Sequence, residues 1–238
     1  MAIRAVCFDA TGTLIELRES VGTVYSRAAR EVGVALPAWR LDDAFARVLR
    51  RAPPLALASA NGTTRAEREA AELEWWCERV RQTFQATDST VQFAEPKAFA
   101  RSLFEGYRNA DAWQLRPGAA ALLTRLRAGG LRLAVASHFD HRLPDILEAL
   151  DLAGFFDRVV VPIDGLGTKP DRALFEALAE PLGARLDELA YVGDDAPEVL
   201  TAIAGLGLRV FDVRDLPDLA ALADPLVAGA SGSDRRDR

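Results

Sequence analysis

The chain has 238 residues, half of them hydrophobic and 27% charged, with a formal net charge of −6 and a pI of about 5.1. That acidity argues against nucleic acid or an anionic membrane as the main partner. No apolar run approaches the roughly 20 residues that span a bilayer, and Arg4 and Asp9 interrupt the only early apolar stretch, so neither a membrane segment nor a signal peptide is expected.

Residues 3–8 form an apolar run that ends in Asp9 and is followed at once by Ala10-Thr11-Gly12-Thr13-Leu14. A continuous apolar run reads as a buried parallel strand, here delivering one carboxylate at its C-terminal end. In open α/β sheets ligands bind at that end. The small residues beyond Asp9 let backbone N–H groups approach an anion, which points to phosphoryl chemistry on the carboxylate.

About a hundred residues of helical pattern come next. Ser20 is placed to cap a helix that stops near Gly33. Leu41, Ala44, Phe45, Val48 and Leu49 repeat at helical spacing until Pro53-Pro54. Thr64 and Glu67 form a capping-box pattern opening a long helix through Leu73, Trp76, Val80 and Phe84. Phe99, Leu103, Phe104 and Tyr107 mark a fourth. All four tryptophans lie in or at the edge of this block, and such an aromatic surface suits a dimer patch. Arg18 and Tyr25 stand just past the first linker. They are candidates for a specificity surface, or simply a solvated side chain and a core aromatic.

From Pro117 helices alternate with strands, which predicts a parallel sheet with right-handed crossovers. Strands are expected at 131–136, 158–161, 189–192 and 209–211. Helices are expected at 118–129, 143–152, from Pro170 as first helical residue, at 197–204 and at 216–223. The end of the chain, 229–238, reads as a flexible tail. Cys7 and Cys77 fall in the first strand and the long helix, as two buried thiols of a reduced compartment, and the expected location is the cytoplasm.

Chemistry-bearing residues fall at the strand ends: Ser137 after the second, Lys169-Pro170-Asp171 after the third, Gly193-Asp194-Asp195 after the fourth. Only two of the 29 basic residues are lysines, Lys97 and Lys169, so a lysine at this point is informative. In this order the four segments resemble the motifs of the haloacid dehalogenase superfamily of aspartate-nucleophile hydrolases, in its phosphatase-like branch with a helical cap inserted after the first motif. The likeness covers nearly the whole chain.

It implies a Rossmann-like core (residues 1–15 and 113–228) with a parallel sheet in the order 5-4-1-2-3 and helices on both faces, and a helical cap (16–112). Asp9 is the implied nucleophile, forming an aspartyl-phosphate. Lys169 neutralises Asp9 and the phosphoryl group, to which Ser137 donates a hydrogen bond. Backbone N–H groups of Thr11, Gly12 and His138 complete a phosphate cradle, and His138 is placed for proton transfer or for a rim contact. Mg²⁺ is held by Asp9, Asp194 and the carbonyl of Thr11, while Asp195 and Glu198 either orient its water or sit solvated at a helix start.

Members of that branch commonly carry Asp where this chain has Thr11, and general acid–base help of that kind is worth roughly 10²–10⁴ in rate. The resulting expectation is a Mg²⁺-dependent phosphatase of a small phosphomonoester, monomeric or homodimeric, with no nucleic-acid or membrane partner. Two alternatives stand beside it: a catalytically weak or inactive protein that binds a phosphate or a partner, and a 2-haloacid dehalogenase.

Overall fold

The computed structural model describes residues 2–53 and 63–230. It divides into two compact units, Met1–Glu16 with Gln114–Arg238, and Leu17–Trp113. In chain order, β1 (Ala5–Phe8) is followed by the short β2 (Ile15–Leu17) and four helices: α1 (Val21–Glu31), α2 (Ala38–Arg51), α3 (Arg65–Thr87) and α4 (Pro96–Gly106). The return strand β3 (Trp113–Leu115) leads to α5 (Ala119–Ala128), β4 (Arg132–Ala136), α6 (Leu143–Ala149) and β5 (Arg158–Val160). Then come α7 (Arg172–Ala179), β6 (Leu189–Gly193), α8 (Pro197–Gly205), β7 (Arg209–Asp212) and α9 (Ala223–Ala230).

The main sheet is parallel, in the order β5-β4-β1-β6-β7. Strands β2 and β3 make a separate two-stranded ribbon that the periodicity does not foretell, because three residues are too few to show a period. Counted without them, the five sheet strands run 5-4-1-2-3 from one edge. β1 lies in the middle and is wholly buried, which is why its sequence is apolar without alternation. Ala5, Cys7, Ala134, Ala136 and Tyr191 face a core shared with Leu174, Phe175 and Leu178 of α7 and with Leu200 and Ile203 of α8. Intervening residues such as Val6, Phe8, Leu133 and Val135 point to the opposite face of the pleat, where α5 contacts β4.

Among its described residues the second unit is built mainly from the helices α1 to α4. Ser20 caps α1 by accepting from the Thr23 N–H at 3.1 Å, and the Thr64–Glu67 capping box opens α3. Tyr25, Leu41, Val80, Phe84 and Leu103 form its core, with Phe93 and Phe99 stacked at 4.1 Å beside them. Of the tryptophans, Trp39 is exposed and Trp113 buried.

Three expected features differ. Pro170 does not open a helix: it lies in a turn after a cis Lys169–Pro170 bond, and α7 starts two residues later. The last helix begins at Ala223, preceded by a 3₁₀ turn at Leu219–Leu222 that Asp218 caps through the Ala220 N–H. Cys77 is only partly buried, since its side of α3 faces away from the unit's centre more than Val80 does. Pro54 and the tail beyond 230 lie outside the described residues.

Burial pushes the Cys7 thiol up to about 12, and burial followed by the nearby Glu74 charge raises Cys77 as well. Thiolate is the reactive form. A disulfide reagent at pH 8 is therefore expected to label Cys77 in the folded protein, and Cys7 only after unfolding. Labelling of both at equal rates in the native state would contradict the burial of β1.

Candidate active site

Parallel pairing sets the stage. Phe8 pairs with Val135 of β4 and with Val192 of β6, so Asp9 emerges level with Ala136 and Gly193. The Asp9 N–H still donates to the Val192 carbonyl at 2.9 Å, and the Ser137 N–H to Val160 at 3.1 Å. Asp9, Ser137 and Asp194 thus stand at adjacent strand ends, held by the register itself.

Lys169 arrives from the turn before α7. Its Nζ lies 2.9 Å from Asp9 Oδ1 and 2.8 Å from Asp195 Oδ1, and it donates to the Tyr191 hydroxyl at 2.9 Å. The Tyr191 hydroxyl in turn donates to Asp195 Oδ2. The lysine side chain is 1% exposed and the two carboxylates 10% and 9%. Removing one partner of such a buried ion pair typically costs about 3–5 kcal/mol, because a charge is left without compensation.

Burial dominates the protonation of Asp9, raising its carboxyl to about 6, and the Lys169 charge and hydrogen bond offset only part of that. For Lys169 burial works the other way, yet the Asp9 and Asp195 charges more than offset it and hold the ammonium above the usual lysine range. Burial, then the same two carboxylates, keeps the Tyr191 phenol protonated.

The loop after β1 carries the remaining parts. Gly12 has φ +83, a backbone conformation that suits glycine, and a Cβ there would lie 2.1 Å from Asp194 Oδ2. Asp194 therefore rests directly on the loop, with Oδ1 accepting from the Thr13 hydroxyl at 2.9 Å. Among the described residues no donor is bonded to Asp194 Oδ2 or to the Thr11 carbonyl. By contrast the Gly12 carbonyl is taken by Arg116 Nη1 at 2.6 Å, and that arginine also reaches the Leu216 carbonyl at 2.7 Å. Two free carboxylate and carbonyl oxygens beside Asp9 make a hard, all-oxygen donor set, which fits a cation such as Mg²⁺.

One expected role needs correction, that of Gly12, and the other expected residues take the following places. The Gly12 N–H donates to the Ile15 carbonyl at 2.8 Å, closing its own turn, so it is not available to a phosphate. Lys169 meets Asp9 as expected, but all three of its N–H groups are committed to protein oxygens. Thr11 places its hydroxyl in a buried position with no partner among the described residues. Ser137 is buried and its Oγ accepts from the Phe139 N–H at 3.2 Å. His138 is exposed; partial desolvation, then the Lys169 charge, holds its imidazole below the ordinary histidine range.

Asp195 belongs to the Lys169 cluster rather than to a solvated helix start, whereas Glu198 is exposed. Tyr25 is a core aromatic stacked on Phe84, and Arg18 is exposed, donating to the Trp113 carbonyl at 3.2 Å. Sequence reasoning missed Tyr191 and Arg116 altogether. A tyrosine at an inward position of a strand otherwise made of small and aliphatic residues is the one signal that was available for the first. For the second there was none.

A parallel sheet in this order, an aspartate at the end of its middle strand and a buried lysine on that aspartate define a class of hydrolase. The haloacid dehalogenase-like hydrolase family model matches residues 3–205, and the chain belongs to that family. It is 33% identical over 205 residues to the human haloacid dehalogenase-like hydrolase domain-containing protein 3, covering 82% of this chain and 75% of that one. It is 35% identical over 139 residues to a phosphoglycolate phosphatase of Rhodospirillum rubrum, covering 50% and 56%. Among solved structures it resembles L-2-haloacid dehalogenase from Xanthobacter autotrophicus, with a TM-score of 0.62 at 21% identity over 95% of this chain and 83% of that one. A predicted phosphoglycolate phosphatase from Haemophilus somnus gives 0.55 at 18%, over 88% and 84%. The two structures share its fold.

Because Gly12 supports Asp194 directly, Gly12→Ala is expected to displace that carboxylate and to strain the turn by about 1 kcal/mol or more. Urea unfolding with and without Mg²⁺ checks this: the variant should lose stability and lose any stabilisation by the ion. Unchanged Mg²⁺ stabilisation would separate Asp194 from the metal.

Proposed function

We propose that this hydrolase is a Mg²⁺-dependent phosphatase that cleaves a small phosphomonoester through an aspartyl-phosphate on Asp9. The observation that carries the reading is the buried Lys169–Asp9 contact with the Asp194 carboxylate lying on the Gly12 turn beside it. An anionic nucleophile and an anionic phosphate repel each other, and the ammonium, with the ion, offsets that repulsion.

In the first step the Asp9 carboxylate forms a bond to phosphorus and the P–O bond to the alcohol breaks. The leaving oxygen takes its proton from solvent, since Thr11 has no acidic proton to give. In the second step water adds to phosphorus, the bond to Asp9 breaks, and free phosphate departs with the carboxylate restored. Ser137 supplies a hydroxyl for a phosphoryl oxygen, with the N–H groups of Thr11 and His138 beside it. Asp9, Asp194 and the Thr11 carbonyl are the groups that would hold Mg²⁺, whose chemistry here is to neutralise phosphoryl and carboxylate charge. The helical unit, read as the cap that the family resemblance implies, is the source of substrate choice.

A second reading is favoured by Thr11, whose side chain is not a carboxylate and whose hydroxyl has no partner among the described residues. A 2-haloacid dehalogenase has the same need for an aspartate nucleophile and none for a second acid. Asp194 and its unbonded oxygen weigh against it, because that chemistry calls for no metal ligand.

Assays of an aryl phosphate and of 2-chloropropionate, with Mg²⁺ or a chelator, separate the readings. The expected result is aryl phosphate turnover that requires Mg²⁺ and disappears in Asp9→Asn. Chloride release without metal would support the dehalogenase instead, and no turnover of either would leave a binding protein. Thr11→Asp is expected to raise the phosphatase rate toward about 10²-fold, the lower end of what a general acid contributes. An unchanged rate would mean that proton transfer does not limit the native enzyme.

A further inference from the structure

A lysine ammonium has three N–H donors, and in Lys169 they go to Asp9, to Asp195 and to the Tyr191 hydroxyl. Tyr191 is wholly buried in β6, its ring edge-on to Phe175 at 5.8 Å in the core beneath the site. Space for its ring and hydroxyl exists only because the neighbour is Gly193, where a Cβ would fall 2.6 Å from Tyr191 Cε1 and 2.8 Å from its oxygen. The hydroxyl thus has little freedom. It accepts from Lys169 and donates to Asp195, closing a three-membered ring of hydrogen bonds.

Placing a phenol oxygen and a second carboxylate on a buried lysine is costly compared with an apolar filling of the same volume. Consecutive residues also divide the labour. Asp194 turns to Thr13 and the Gly12 loop, and Asp195 turns to Lys169. Without the second pair of acceptors, Lys169 has a flexible four-carbon stem and a single carboxylate to follow.

We infer that Tyr191 and Asp195 are positioning residues that clamp the Lys169 ammonium onto Oδ1 of Asp9, so that the nucleophile meets its substrate in one fixed orientation. This inference rests on the reading of Asp9 as the nucleophile. The clamp acts through Lys169 and touches neither substrate nor ion.

The test uses the full chain with Tyr191→Phe, Asp195→Asn and Asp195→Glu, and it has two readouts. The first is kinetic, on an aryl phosphate with Mg²⁺. Both Tyr191→Phe and Asp195→Asn should lower kcat, by up to about 10²-fold as expected for a misplaced catalytic group, with KM nearly unchanged, and Asp195→Glu should recover part of the loss. The second needs no turnover. With only two lysines in the chain, ¹⁵N-lysine labelling gives two ammonium signals, and Lys169→Arg identifies the one from Lys169. Its protons should exchange slowly with water in the native protein and much faster in Tyr191→Phe and Asp195→Asn.

Unchanged kcat together with unchanged exchange in both variants would overturn the inference. So would a loss of thermal stability with full kcat per folded molecule, which marks a merely structural hydroxyl. If the native protein turns over no phosphate ester, the phosphatase reading fails by itself. The exchange measurement then still decides the clamp: slow native exchange that both variants accelerate supports it, and anything else rejects it.

Discussion

A carboxylate at the end of a central parallel strand sits where water is scarce and where every neighbouring strand ends too. Left alone there, Asp9 would take up a proton and lose its charge, and burial alone pushes it that way. Lys169 is what makes an ionised Asp9 tolerable. The ammonium in turn is tolerable only because oxygens of Asp9, Asp195 and Tyr191 surround it. From this one contact the other arrangements follow: Tyr191 in the core, Gly193 beside it, and Asp195 directed away from its neighbour Asp194.

The Gly12 turn carries a second constraint, set by backbone geometry rather than charge. A positive φ and the close approach of Asp194 leave room for no side chain. Arg116 draws the Gly12 carbonyl toward the loop around residue 216, and the Thr11 carbonyl has no such partner among the described residues. The loop thereby separates its oxygens into one that is structural and one that is available. Thr11 enters this frame with a carbonyl that no donor takes among the described residues and a side chain that carries no acid.

Much of this was legible in the chain. The uninterrupted apolar run before Asp9 announces a buried middle strand, and alternating periods after Pro117 announce the parallel sheet. Capping signals at Ser20 and at Thr64 with Glu67 mark helix starts to the residue, because caps are local chemistry. Asp9, Ser137, Lys169 and Asp194 are legible as strand-end residues in a familiar order. What escaped is non-local or too short. The Tyr191 contact joins residues 22 apart, and that of Arg116 with Gly12 residues 104 apart. The Gly12 N–H reads as free for a ligand because nothing in the sequence tells that the Ile15 carbonyl already holds it. Pro170 was placed at a helix start since a proline there is ordinarily just that, whereas here the turn extends to Asp171.

The most direct measurement is an acid quench of the protein during turnover of an aryl phosphate with Mg²⁺, followed by peptide mapping. An aspartate nucleophile clamped by Lys169, with no acid at residue 11 to hasten release, predicts a phosphoryl group on Asp9 that hydroxylamine removes. Phosphate released steadily with no phosphoryl group on Asp9, or with one on another residue, would contradict it.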